Sequence, residues 1–184
     1  VVYRILKGVR VRRVAIAGRI CVDLSPGLDA PAVIEPGGLV DVGPLTIAVG
    51  GCVANTARAM ARLGHPVTVY ATVGDDELGD VVRRGLDTAD LLDAHLRVVP
   101  GATSYSLVIE QPGLDRTFWH HLGVNAEVDG SDVDLDGLDL LHFGYPSLLP
   151  RLIAGGGVAL STLLERAKAA GVTTSVDLAV VDTA

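Results

Sequence analysis

Three short stretches carry residue types on which chemistry could be built. The first, Gly18-Arg19-Ile20-Cys21-Val22-Asp23, follows an apolar run that ends in glycine. An acid just past the C-terminal edge of a buried strand sits where open α/β sheets bind ligands, and its carboxylate can accept from two neighbouring hydroxyls of a polyol. Asp in such a loop is also a common turn residue. The second stretch is Gly50-Gly51-Cys52-Val53-Ala54-Asn55. Paired glycines let the backbone bend sharply and approach a ligand, and a helix opening there offers free N–H groups, to which Asn55 adds a donor and an acceptor. A plain strand-to-helix turn would look the same. The third is His120-His121 beside Trp119. Neighbouring residues on a strand face opposite ways, so this pair cannot chelate one metal together, and no metal site is expected. One of the two could donate to a ligand, although a packing or solvated role also fits.

Several classes are disfavoured by what surrounds these stretches. No Gly-Lys-Ser/Thr follows the paired glycines, so they are not a P-loop, and the GxGxxG dinucleotide fingerprint is absent. The formal net charge is −7. Arg4, Lys7, Arg10, Arg12 and Arg13 open the chain with no acid among them. The other ten basic residues and all 22 acids lie beyond, which leaves −12 on the body. Nucleic acid, whose phosphates need a basic face, is therefore not an expected partner. The basic start reads as a solvated tail or strand. No apolar run reaches the roughly 18 residues of a membrane span, and the arginines at 10, 12, 13 and 19 break any signal-peptide core. Cys21 and Cys52 are widely spaced with no CxxC pattern, which suits reduced thiols in the cytoplasm.

The elements that must position these residues follow from periodicity. Residues 14–18 predict a buried strand, 53–63 a helix closed by Gly64, and 67–73 a β-branched strand. Residues 76–86 predict an amphipathic helix with Asp75, Asp76 and Glu77 at its N-terminus. Residues 138–143 predict a strand, 159–170 a helix closed by Gly171, and 172–176 a further strand. Strands alternating with helices imply parallel βαβ units in a three-layer α/β/α sandwich. With aromatics at only 4%, its core must be built from Val, Leu, Ile and Ala. Residues 39–49 and 103–109, the latter turning at Gln111-Pro112-Gly113 into 116–120, read as half-buried strands outside the parallel core. Inserted hairpins of this kind often form a lid, with a sheet extension or dimer surface as the alternative.

The spacing of Gly50-Gly51, Asn55, Ala57, Gly64, Gly74-Asp75-Asp76 and Gly79 closely resembles the N-terminal signature of the ribokinase-like (PfkB) carbohydrate kinases. Further stretches agree. Gly18 with Asp23 resembles the opening strand and sugar-binding Asp. Asp115 to His121, followed by Gly123-Val124-Asn125-Ala126, resembles a lid strand and its closing turn. Leu141-His142-Phe143-Gly144-Tyr145 and Thr174-Ser175-Val176-Asp177 are similar to later core strands. Val53 stands where the family prefers a smaller residue. Cys52 stands where ribokinases often carry Lys, a departure that bears on ribose rather than on the family.

The resemblance covers most of residues 13–184 and implies a fold, a reaction and a site. The fold is a ribokinase-like α/β/α sandwich with a mainly parallel sheet and a small β-strand lid around 32–49 and 103–121. Residues 1–184 would form the N-terminal part of the kinase domain, incomplete at the C-terminus. The reaction is transfer of the γ-phosphoryl of ATP, with Mg2+, to a sugar or nucleoside hydroxyl. Asp23, Gly51 and Asn55 would bind the acceptor while Gly50 shapes the turn. The family's catalytic motif, Gly-Ala-Gly-Asp or close to it, is absent here, so no base is named and the piece alone is expected to be inactive. Gly74-Asp75 belongs to the first signature rather than to that motif. Asp177 and Asp182 match nothing catalytic. A chain that opens on Val and stops at Ala184 reads as a fragment, whose uncovered sheet would aggregate or dimerise, or pair through the lid. Two alternatives stay open: a non-catalytic sugar-binding or regulatory module of this fold, and a nucleotide-binding domain of another family.

Overall fold

The structure is a computed structural model that describes residues 12–31, 35–87 and 91–179. Arg4, Lys7 and Arg10 of the basic start, residues 32–34 of the anticipated lid, and Asp182 lie outside the described residues.

Strand β1 (Val14–Gly18) is buried along its whole length. Its Val14 and Ile16 join one apolar cluster and Ala15 and Ala17 another, as expected of a strand covered on both faces. Around it run β4 (Val67–Gly74), β5 (Leu92–Val99), β8 (Leu140–Gly144) and β9 (Thr173–Asp177). They form a five-stranded sheet in the order β5-β4-β1-β8-β9, parallel at every pairing. Helices α1 (Gly51–Arg62) and α2 (Glu77–Leu86) cover one face, through Val53, Ala54, Ala57, Val82 and Leu86. Helix α3 (Pro150–Ala169) covers the other, with Leu152, Leu163 and Ala167 against Leu141 and Phe143. Each fully buried Val, Leu or Phe among these contributes about 1.5–3 kcal/mol. The three-layer α/β architecture with a parallel central sheet is the one the alternation implied.

A second sheet stands apart from the first, in the order β3-β2-β6-β7. Its strands are β2 (Cys21–Pro26), β3 (Leu45–Gly50), β6 (Tyr105–Ile109) and β7 (Thr117–His121). The pairings Asp23↔Ala48, Asp23↔Ser106 and Ser106↔His120 put Asp23, Ser106 and His120 on one face. The opposite face carries Leu24, Ile47, Leu107 and Trp119 in one row.

Several local expectations change. Asp23 is not in a loop after β1; it is the third residue of β2, a strand the sequence reading missed. Within residues 39–49 the strand begins only at Leu45 and runs on to Gly50; before it, Gly43 N–H to Gly27 O (2.8 Å) and Gly27 N–H to Pro44 O (3.2 Å) tie Gly43-Pro44 to the end of β2. The helix expected at 159–170 starts at Pro150 and is interrupted where Gly155, Gly156 and Gly157 take positive φ. The unanticipated β5 is an edge strand with exposed polar positions, so it lacks the apolar run that marks its neighbours.

Candidate functional site

The C-terminal end of β1 and the polar face of the second sheet enclose a cleft of about 830 Å³. Arg19, Asp23, Gly51, Asn55, Ser106, Arg116, Phe118, His120 and Tyr145 contribute to its lining. Three of the four residues singled out from sequence, Asp23, Gly51 and Asn55, thus share one cavity.

The fourth, Gly50, lies beneath Asp23. A Cβ on Gly50 would stand 2.5 Å from Asp23 Cγ and collide with Oδ2. Gly51 has φ +84°, and a Cβ there would sit 2.7 Å from Arg19 O. The two glycines therefore let the start of α1 close against the segment that carries Arg19 and Asp23. No side chain caps α1; Val53 N–H takes Arg19 O at 3.3 Å, and Asn55 is exposed in the first turn. Among the described residues, Cys21 Sγ is the donor that reaches the Asp23 carboxylate, at 3.3 Å from Oδ1. The rest of that carboxylate is available to a ligand's hydroxyls.

Arg19 was passed over in the sequence, although it stands inside the first motif. It is only 7% exposed, and its Nη2 donates to Ser106 Oγ (3.2 Å) and to His120 Nδ1 (2.8 Å). Its burial depends on residues 87 and 101 positions away, so no local signal could reveal it. Burial, and then the Arg19 guanidinium, hold His120 below the ordinary imidazole range. His120 is therefore neutral at pH 7. Nδ1 also lies 3.2 Å from Tyr105 O. A guanidinium can only donate, so Nδ1 accepts from Arg19 and the ring proton sits on Nε2. His121 points the other way and stacks on Tyr105 at 5.3 Å.

Tyr145, just past β8, is the one non-glycine residue among those described with positive φ, at 56°. Backbone held in this region costs about 1–3 kcal/mol and clusters at ligand sites. Burial, then Asp177, pushes its phenol up. Beneath it Gly144 packs against Cys52; a Cβ on Gly144 would lie 2.7 Å from Cys52 Cβ and overlap Sγ. Burial pushes the Cys21 and Cys52 thiols up to about 12, so neither is a nucleophile near neutral pH.

Two other signature stretches prove to be scaffolding. Asp76 caps α2 by accepting from Gly79 N–H (2.9 Å) and also accepts from Thr103 N–H (2.9 Å) and Thr103 Oγ1 (2.5 Å). Asp75 takes Gly101 N–H at 3.0 Å. Together they fix the start of β6 to the core. Asn125, fully buried, donates from Nδ2 to Ile20 O at 2.7 Å and so holds the Arg19–Ile20 turn. Among the described residues no group of three His, Cys, Asp or Glu side chains could hold a metal ion, so no residue is assigned to Mg2+.

Comparison with known proteins agrees with this architecture. The family described as "pfkB family carbohydrate kinase" matches residues 11–183. Fructokinase-2 of Oryza sativa subsp. japonica is 28% identical over 172 residues, covering 87% of this chain and 47% of that protein. Among solved structures, ribokinase from Cryptococcus neoformans var. grubii serotype A in complex with ADP superposes with a TM-score of 0.69 at 23% identity. That match covers 93% of this chain and 51% of the other. Arabidopsis thaliana ribokinase complexed with ribose and ATP gives 0.67 at 16% identity, covering 95% and 55%. The chain spans about half the length of the curated relatives it matches.

Proposed function

The chain belongs to the pfkB family of carbohydrate kinases, and from that premise we propose that it forms the acceptor-binding half of an ATP-dependent kinase acting on a hydroxyl of a sugar or sugar-like polyol. The observation that carries this reading is the convergence of Asp23, Gly51 and Asn55 on one cleft, at the C-terminal end of the central strand and beneath a second sheet. Asp23 would accept from two acceptor hydroxyls, and Asn55 would both donate and accept. His120, which lines the same cleft, offers a further polar contact. The second sheet would act as a lid, excluding water and fixing the reacting hydroxyl, because positioning and charge stabilisation supply most of the acceleration in phosphoryl transfer.

Bound ATP would supply the γ-phosphoryl group. The described residues hold no glycine-rich phosphate loop with Lys and Ser/Thr, so no residue of this chain is assigned to the nucleotide or to the base. The adenine nucleotides bound to the two ribokinases support ATP as the donor. The apolar outer face of the lid, with Leu45, Ile47 and Trp119 about half exposed, supports a homodimer formed through that sheet. Two free, buried thiols fit the reducing cytoplasm.

The test is ADP release by the full-length protein over a panel of hexoses, pentoses, keto-deoxy acids and nucleosides. Release with one acceptor class, lost in Asp23→Ala, is expected. Acceptor binding with no ADP release would favour a non-catalytic sugar-binding module instead. Unchanged activity in Asp23→Ala would overturn the site.

A further inference from the structure

Among the described residues Arg19 is a buried cation without a carboxylate partner. Its Nη2 is engaged by two neutral groups, Ser106 Oγ and His120 Nδ1, while Nε is buried with no partner among the described residues. A desolvated charge in this state is costly unless something compensates it. Among the described residues the one carboxylate lining the same cleft, Asp23, is engaged by Cys21 Sγ rather than by the guanidinium. The cleft's second cation, Arg116, lies over the Phe118 ring at 5.5 Å. Among the described lining residues two guanidiniums stand against one carboxylate, a positive balance in a chain whose formal net charge is −7.

We propose that the missing anion comes with the acceptor: the preferred substrate is a polyol bearing a carboxylate or a phosphate ester, and Arg19 is the residue that selects it. This inference rests on the reading of the cleft as the acceptor site. Asp23 and Asn55 take the hydroxyl end, and the acidic substituent lies toward Arg19, which lines the cleft with no carboxylate partner among the described residues. His120, neutral with Nδ1 accepting from Arg19, orients the guanidinium without cancelling its charge. A neutral hexose would leave the guanidinium uncompensated. An anionic one turns that cost into charge-assisted hydrogen bonds.

The test compares three acceptors that differ only at one carbon: D-fructose, 2-keto-D-gluconate and D-fructose 1-phosphate. All keep the same distal primary hydroxyl. For the full-length wild-type protein, kcat/KM for one of the two anions should exceed that for D-fructose by about 10- to 100-fold, and the better of the two identifies the source of the charge. Arg19→Gln should remove that margin, and Arg19→Lys should keep part of it. A wild-type preference for D-fructose overturns the proposal and leaves the kinase reading standing. An equal loss on every acceptor in Arg19→Gln also overturns it, by placing Arg19 on the transferred phosphate. If no acceptor supports ADP release, the kinase reading fails, and inorganic phosphate alone then decides this one. Phosphate should raise the wild-type Tm more than that of Arg19→Gln, and an equal shift in both contradicts the anion site.

Discussion

Asp23 and Gly50 occupy paired strands so closely that the carboxylate fills the space where a Cβ of residue 50 would be. Gly50 has an extended backbone, φ −122°, which any residue adopts, so the requirement for glycine comes from Asp23 and not from the chain's conformation. The pair therefore packs the paired-glycine bend directly against the acid.

Gly50→Ala should displace the Asp23 carboxylate by about an ångström and cost on the order of 100-fold in kcat/KM for the acceptor. Asp23→Ala removes the obstacle, so the double variant Asp23→Ala/Gly50→Ala should unfold at a higher temperature than Gly50→Ala while remaining inactive. Thermal melts and ADP release together check this. A Gly50→Ala protein with full activity would mean that the carboxylate's position is not constrained.

Asn55 is exposed near the start of α1 and lines the cleft. Asn55→Ala should leave stability within about 0.5 kcal/mol and lower kcat/KM for the acceptor by about 10-fold. A loss of stability without a kinetic effect would assign Asn55 to the scaffold.

Asp76 gives a pH-dependent prediction. Burial pushes its carboxyl up, but hydrogen bonds from the Thr103 side chain, Thr103 N–H and Gly79 N–H outweigh this and hold it below the ordinary carboxylate value. A depressed folded-state value means the stabilisation is complete above the unfolded value, about 3.9, and is lost as pH falls through the folded one. Asp76→Ala should cost about 1–2 kcal/mol at pH 7, and the gap from wild type should close below about pH 4. Urea unfolding at pH 7, 5 and 3 measures it; a gap of constant size would contradict the linkage.

How much of this was legible depended on the range of the interactions. Gly64 announced the end of α1 from the sequence because a C′ glycine with φ +88° is a local requirement. The acid of the first motif was visible, but its strand was not. β2 is set by pairing with β3 and β6, far along the chain, and Asp23 interrupts its apolar pattern. Tyr145 could be quoted as part of a motif, whereas its left-handed backbone is accompanied by a hydrogen bond from its N–H to Asp177 O at 2.8 Å, 32 residues along the chain. Long-range burial made Arg19 the largest omission.

The outer face of the lid offers a further check. Ile47 is 53% exposed and lies beside Leu24 across the β2–β3 pairing. Ile47→Lys should shift the full-length protein from dimer to monomer in sedimentation while leaving the cleft residues in place. A wild-type monomer at all concentrations would remove the lid-mediated dimer.

The most direct measurement is a crystal structure of the full-length protein with its acceptor bound. It should show acceptor hydroxyl oxygens within hydrogen-bond distance of the Asp23 carboxylate and the Asn55 amide, under the face that carries Ser106 and His120. An acceptor bound elsewhere, with both side chains turned to solvent, would contradict the assignment of this cleft.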